Sequence, residues 1–261
     1  MTIVEALVLG LVQGLTEFLP VSSSGHLVIF ETLFGIEGEG GLVFEVAVHV
    51  ATLLAILVVY RARVAGLARG ALARDRDAWA YIAKLALATL PAVVVGLGAK
   101  DRIEATFASP AVVGVCLVVT AAILWTTRAT LPRARAAEPG FAAALWIGCA
   151  QALAILPGIS RSGTTVAAAL ALGVAPIAAA EFSFLLGTIA IAGAAVLILP
   201  DLAGARAELA PIALGSAAAL ASGVGAIALF LRLLERKTFH AFAYYLVPAG
   251  LGFLAYTALR A

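Results

Sequence analysis

Between positions 13 and 26 the residue types and their spacing suit a reaction centre. Gln13 and Glu17 stand four apart, so on a helix an amide and a carboxylate point from one face. Just downstream, Ser22-Ser23-Ser24-Gly25-His26 follows Pro20 and precedes the apolar stretch Leu27 to Phe34. Serines there stand where a helix N-cap belongs, and capping accounts for one of them. The remaining hydroxyls, the open amides of a helix start and His26, three residues beyond Ser23, suit an anion. A serine with a base nearby is also the minimum for activated-nucleophile chemistry.

A second segment has the same character: Pro157-Gly158-Ile159-Ser160-Arg161-Ser162-Gly163-Thr164-Thr165, a break followed by a hydroxyl-rich helix start. Arg161 is flanked by uncharged runs at 139 to 160 and 162 to 180. A guanidinium fork matches phosphate bidentately; the plain alternative is an arginine snorkelling to a membrane face. An unpaired intramembrane charge is expensive, which favours phosphate, and the same cost makes Glu17 a functional candidate. Two positive helix ends and Arg161 together would hold a diphosphate.

The elements that position these residues belong to a membrane protein. Of 261 residues, 63% are hydrophobic and 12% charged, with mean hydropathy +1.09, against about 25% charged in a soluble domain. A water-soluble globule is excluded. Net charge is only +2, and the basic residues form short clusters between apolar runs, so no nucleic-acid stripe exists. Cys116 and Cys149 lie in apolar runs without a ligand pattern and are expected to pack. Met1 to Glu5 has no positive n-region and no cleavage site follows, so this end is read as mature fold.

Residues 42–60, 79–99, 110–127, 177–199, 211–231 and 241–259 have spanning length. Arginines crowd the loop from Arg61 to Arg76 and the loop at Arg128 to Arg135; Arg232, Arg236 and Lys237 crowd the last. The positive-inside rule puts these three inside, and the loops near 100–104 and 201–208 outside. Parity then forbids 141–176 from crossing once. Two short apolar pieces, 141–156 and 164–175, are expected to form a re-entrant hairpin around the Pro157 break, and 3–18 with 25–34 a matching one from the opposite face. Such breaks need protein cover or water at membrane depth.

An internal match supports this: Gly10 to Leu15 aligns with Gly148 to Leu153, and Ser22 to Gly25 with Ser160 to Gly163, both at offset 138. The expected fold is an all-α integral membrane protein, a single membrane domain over 1–261. It has six transmembrane helices plus two re-entrant helical hairpins in an inverted-topology repeat, 1–127 and 141–261. Sites in such folds lie where broken helices meet. Glu45 and Glu181 are expected at related positions with ion-pairing roles, His49 as Glu45's partner, and His240 at the interface. Trp79, Tyr81, Trp125 and Trp146 are read as interfacial aromatics.

On the stretches Gln13 to His26 and Pro157 to Thr165 the chain resembles the undecaprenyl-diphosphate phosphatase family, also called the bacitracin-resistance type, over nearly its whole length. The resemblance implies hydrolysis of the terminal phosphate of a C55 isoprenoid diphosphate in the bacterial inner membrane, from a pocket facing outside. It implies Ser23, His26, Glu17 and Arg161 as catalytic. Ser22, Ser24, Gly25, Ser160, Ser162, Gly163, Thr164 and Thr165 are implied as substrate-binding. A divalent cation, Mg or Ca, is expected at Glu17 and Gln13, although Gln13 takes the non-acidic form of the family's first motif and weakens a two-carboxylate site. Either Ser23 attacks with His26 handling the proton, or His26 attacks with Ser23 binding phosphate. Expected partners are the polyprenyl diphosphate and the bilayer, with no nucleic acid, and a homodimer as the candidate assembly. The rival reading is a transporter or flippase of an anionic lipid.

Overall fold

Apolar runs become long helices wherever no Gly-Pro or Ser-rich break interrupts them. The computed structural model describes residues 1–34, 41–107, 109–198 and 208–260. Its helices are α1 (Ile3–Phe18), α2 (Ser23–Phe34), α3 (Gly41–Val59), α4 (Arg61–Leu72), α5 (Arg76–Gly98), α6 (Lys100–Phe107), α7 (Pro110–Thr130), α8 (Phe141–Leu153), α9 (Arg161–Ala171), α10 (Pro176–Ile198), α11 (Leu209–Glu235) and α12 (Phe242–Ala258). Among the described residues the only strand-like pairing is one bridge between Ala136 and Val174. The chain is an all-helical, multi-pass membrane protein.

Five helices, α5, α7, α10, α11 and α12, are long and apolar enough to cross a bilayer. The sixth expected span qualifies only as a bent pair, Val43–Val59 joined to Arg61–Leu72 at 76°. The bend corrects the expectation of a plain basic loop at 61–76. Arg61, Arg63 and Arg69 lie on α4, none of whose residues is buried, so the basic segment is helical and carries its charges on exposed faces. A turn follows, and Asp75 caps α5 by accepting from the Asp77 and Ala78 amides at 3.3 and 3.4 Å. The stretch after Gly98 is likewise helical, as α6. The expected loop at 201–208 lies almost wholly outside the described residues.

Both expected breaks are present. α1 ends at Phe18 and α2 begins at Ser23; α8 ends at Leu153 and α9 begins at Arg161. In each pair the serine at offset 138 caps the second helix. Ser22 Oγ accepts from the Gly25 amide at 3.3 Å and Ser160 Oγ from the Gly163 amide at 3.1 Å. Phe18 anchors the end of α1 in an edge-to-face chain of rings running through Phe184 and Phe230 to Phe239, with centroid separations of 5.6, 5.0 and 5.2 Å.

The short helices pack on long ones. α1 lies on α11, and α8 lies on α5. Small residues permit the close approach that membrane helices use in place of a hydrophobic driving force. A Cβ on Gly10 would overlap the backbone of Gly215, and one on Gly148, 138 residues later, the backbone of Ala88. α3 packs on α10, and α7 on α12.

Candidate active site

The two breaks meet tip to tip. A Cβ on Gly25 would come within 3.0 Å of Gly158 Cα, and one on Gly163 within 3.0 Å of Pro20. Ser162 Oγ donates to the Leu19 carbonyl at 3.4 Å. Gly158 takes φ +93°, and any side chain there would strike the Val113 carbonyl, so this turn accepts only glycine. Thr120 on α7 holds the second break open: its hydroxyl donates to the Gly158 carbonyl at 2.8 Å and accepts from the Ser160 amide at 3.1 Å.

Where the tips meet, Glu17 is the hub. Its Oε1 accepts from Arg161 Nη2. Its Oε2 accepts from Ser23 Oγ at 2.6 Å and from Gln13 Nε2 at 3.1 Å. Glu17 and Arg161 are 144 residues apart in sequence and both are buried or nearly so. Pairing and multiple hydrogen bonds are what permit a carboxylate and a guanidinium to persist there. The Arg161 Nη1 has no hydrogen-bond partner among the described residues. It lies against Gly187 of α10, where a Cβ would overlap the guanidinium.

A cavity of about 360 Å³ opens beside this cluster. Glu17, Ser22, Ser23, Ser24, Ser160 and Arg161 line its polar side, and its other walls come from α3, α8 and the end of α10. Six expected site residues therefore converge. Ser162, Gly163, Thr164, Thr165, Gly25 and Gln13 do not line it. Thr165 Oγ1 instead donates to the Arg161 carbonyl at 2.7 Å and pairs with Ser183 at 2.6 Å, while Gly25 and Gly163 serve the close contact of the tips. Thr165, Gly25 and Gly163, expected as substrate ligands, here hold the two breaks together.

His26 is placed differently from the expectation that it would share a pocket with Ser23. Its Nδ1 donates to the Ser22 carbonyl at 2.8 Å and its Nε2 accepts from Tyr245 Oη at 2.6 Å, and it is not among the cavity-lining residues. Ser22 has φ +71°, a strained conformation for a serine, and His26 clamps its carbonyl. The imidazole facing the cluster is His49. Its Nδ1 donates to the Glu45 backbone carbonyl at 2.8 Å, so the expected partnership with Glu45 runs through the main chain, and its Nε2 stands 4.0 Å from Glu17 Oε2. The spacing of His49 from Glu45 reveals a helical turn but not the neighbour on another helix.

Glu45 and Glu181 are not equivalents. Glu45 lines the cavity, whereas Glu181 accepts from Arg63 Nε at 2.8 Å and Tyr81 Oη at 3.3 Å elsewhere. Offset 138 relates Glu45 to Ser183 rather than to Glu181. Tyr81, expected at the interface, is buried under Arg63, whereas Trp79, Trp125 and Trp146 are exposed. Cys116 is buried, but Cys149 is exposed, contrary to the expected packing role.

The donor set does not fit a cation held by Glu17 and Gln13. Both Glu17 oxygens already accept from donors, a guanidinium neutralises the carboxylate, and Gln13 turns its NH₂ toward Glu17. A hard cation requires oxygen ligands, and no group of three His, Cys, Asp or Glu converges among the described residues.

Comparison with known proteins adds a family. The family described as bacitracin resistance protein BacA matches residues 6–252. A protein named undecaprenyl-diphosphatase from Desulfosudis oleivorans is 44% identical, with 95% of this chain and 96% of that protein covered. One of the same name from Carboxydothermus hydrogenoformans is 41% identical over 96% and 95%. Another, from Geobacter sulfurreducens, is 40% identical over the full length of both.

Proposed function

The chain belongs to the bacitracin resistance protein BacA family, and on that premise we propose that it is an undecaprenyl-diphosphatase, removing the terminal phosphate of undecaprenyl diphosphate to leave undecaprenyl phosphate and inorganic phosphate. The observation that carries the reading is the contact of Ser23 and Arg161 with one buried carboxylate, Glu17, at the floor of a cavity. About 360 Å³ takes a headgroup but not a C55 chain, so the lipid tail stays in the bilayer while the diphosphate enters.

In the first step Ser23 Oγ bonds to the terminal phosphorus, the bond from that phosphorus to the bridging oxygen breaks, and the lipid phosphate leaves. The Ser23 proton passes to Glu17, the acceptor it already faces. Water then attacks the phosphoseryl group: its oxygen bonds to phosphorus and keeps one hydrogen while the other passes to solvent, the Ser23 oxygen to phosphorus bond breaks, and the proton held on Glu17 returns to Ser23, freeing inorganic phosphate. Phosphoryl transfer is mostly positioning and charge stabilisation, supplied here by Arg161 and the amide ends of α2 and α9. His26 acts as a positioning residue through Ser22, since both its ring nitrogens are engaged. That engagement favours Ser23 over His26 as nucleophile.

The reading extends to topology. Residues 1–127 and 141–261 form two halves of opposite orientation, each a re-entrant pair plus three spans. The reciprocal packing of α1 on α11 and α8 on α5 supports this, as do the matched glycines Gly10 and Gly148. The cavity lies toward the start of α3 and the end of α10, away from the arginine clusters at 61–76, 128–135 and 232–237. By the positive-inside rule it opens to the outer face of the bacterial inner membrane.

The test uses purified protein in detergent with undecaprenyl diphosphate labelled at the terminal phosphate. Phosphate release and label trapped on Ser23 are expected. Absence of release would leave the transporter reading, and label on His26 would reverse the assignment of the nucleophile.

A further inference from the structure

Gln151 of α8 is nearly inaccessible, 2% exposed, and lines the cavity. Neither its amide nitrogen nor its carbonyl oxygen has a hydrogen-bond partner among the described residues. An amide buried without partners costs far more than one that is paired, so its persistence in a catalytic cavity requires an explanation. Its repeat counterpart supplies one. Gln13, 138 residues earlier, donates its NH₂ to Glu17 one turn ahead at 3.1 Å. One turn ahead of Gln151 stands Ile155, which also lines the cavity. The second half thus repeats the donor and replaces the acceptor by an apolar side chain.

The anion that would complete the pair must come from outside the chain. Arg161 Nη1, the other unpartnered donor at this site, points to the same conclusion. We infer that Gln151 is a substrate-binding residue: its side-chain N–H donates to a non-bridging oxygen of the diphosphate, which stands where the missing carboxylate would be. Its carbonyl oxygen accepts from water carried in with the headgroup, which a phosphate, offering only acceptors, would not satisfy. Glu17 then orients Ser23 from one hairpin while Gln151 and Arg161 hold the phosphate from the other. This assignment rests on the phosphatase reading above.

The test compares Gln151→Leu and Gln151→Glu with the unaltered protein in detergent. Steady-state hydrolysis of undecaprenyl diphosphate is measured, together with the shift in thermal unfolding produced by inorganic pyrophosphate. Because Gln151 has no protein partner, Gln151→Leu is expected to unfold no earlier than the parent, yet to raise KM about tenfold and lose most of the pyrophosphate shift. Gln151→Glu, which sets a carboxylate against the anion, is expected to lose more. An unchanged KM and an unchanged pyrophosphate shift in Gln151→Leu would overturn the assignment while leaving the phosphatase reading intact. If the parent itself releases no phosphate, it is that earlier reading which fails, and the pyrophosphate shift still reports on Gln151. A leucine variant that unfolds markedly earlier would show that the amide supports the fold, and would also overturn the inference.

Discussion

Replacing Gly187 by alanine adds one methyl group, and its consequence follows from a single contact. In an open helix position Gly→Ala is stabilising by about 0.8–1 kcal/mol. On α10, however, the new Cβ would overlap Arg161 Nη1 and crowd its Cζ. The guanidinium must leave the recess, loosening its pairing with Glu17 and displacing Arg161 from its place in the cavity wall. A hydrogen bond involving a charged group contributes about 1.5–3 kcal/mol, so kcat/KM should fall roughly 10- to 150-fold at about 1.4 kcal/mol per tenfold. Gly193→Ala on the same helix is the control, since nothing lies within 4 Å of its Cβ position; it should keep full activity. The assay is phosphate release from undecaprenyl diphosphate in detergent, with thermal unfolding of both variants alongside. Activity within threefold of the parent for Gly187→Ala would refute the claim that Arg161 must occupy that recess to work.

Arg161→Lys keeps the charge but loses the fork, and most of the phosphate release should disappear in the same assay. Thr120→Val leaves the Gly158 carbonyl and Ser160 amide unpaired and buried, at about 1–3 kcal/mol each; thermal unfolding should occur well below that of Thr120→Ser, which retains the hydroxyl. Gly148→Val forces a branched side chain against the Ala88 backbone, an overpacking cost of about 1–3 kcal/mol or more, visible as a lower unfolding temperature in detergent. Tyr245→Phe removes one bond to His26 but leaves that residue's grip on Ser22, so turnover should fall severalfold at most; a complete loss would move His26 back into the chemistry.

Much of the architecture was legible because local rules decide it. Runs of apolar residues of bilayer length can satisfy their backbone groups only as helices, and Pro20, Pro157 and Gly158 mark where helices cannot continue. The matches at offset 138 already located both hydroxyl-rich caps, and the cost of intramembrane charge singled out Glu17 and Arg161 before any contact was known. The helical nature of 61–72 escaped the same reasoning, since its arginines read as a loop when only charge is weighed.

What the tertiary structure alone decided concerns partners on different helices. Nothing in the spacing of His26 shows that Tyr245 holds its outer nitrogen, and nothing in the position of His49 beside Glu45 shows that it faces Glu17. The sequence likewise gives no sign that Gly187 makes room for a guanidinium or that the Gln151 amide is buried without a partner. Helix periodicity fixes which residues share a face, but which faces meet depends on how small residues let the helices approach, and that is settled only by packing in three dimensions.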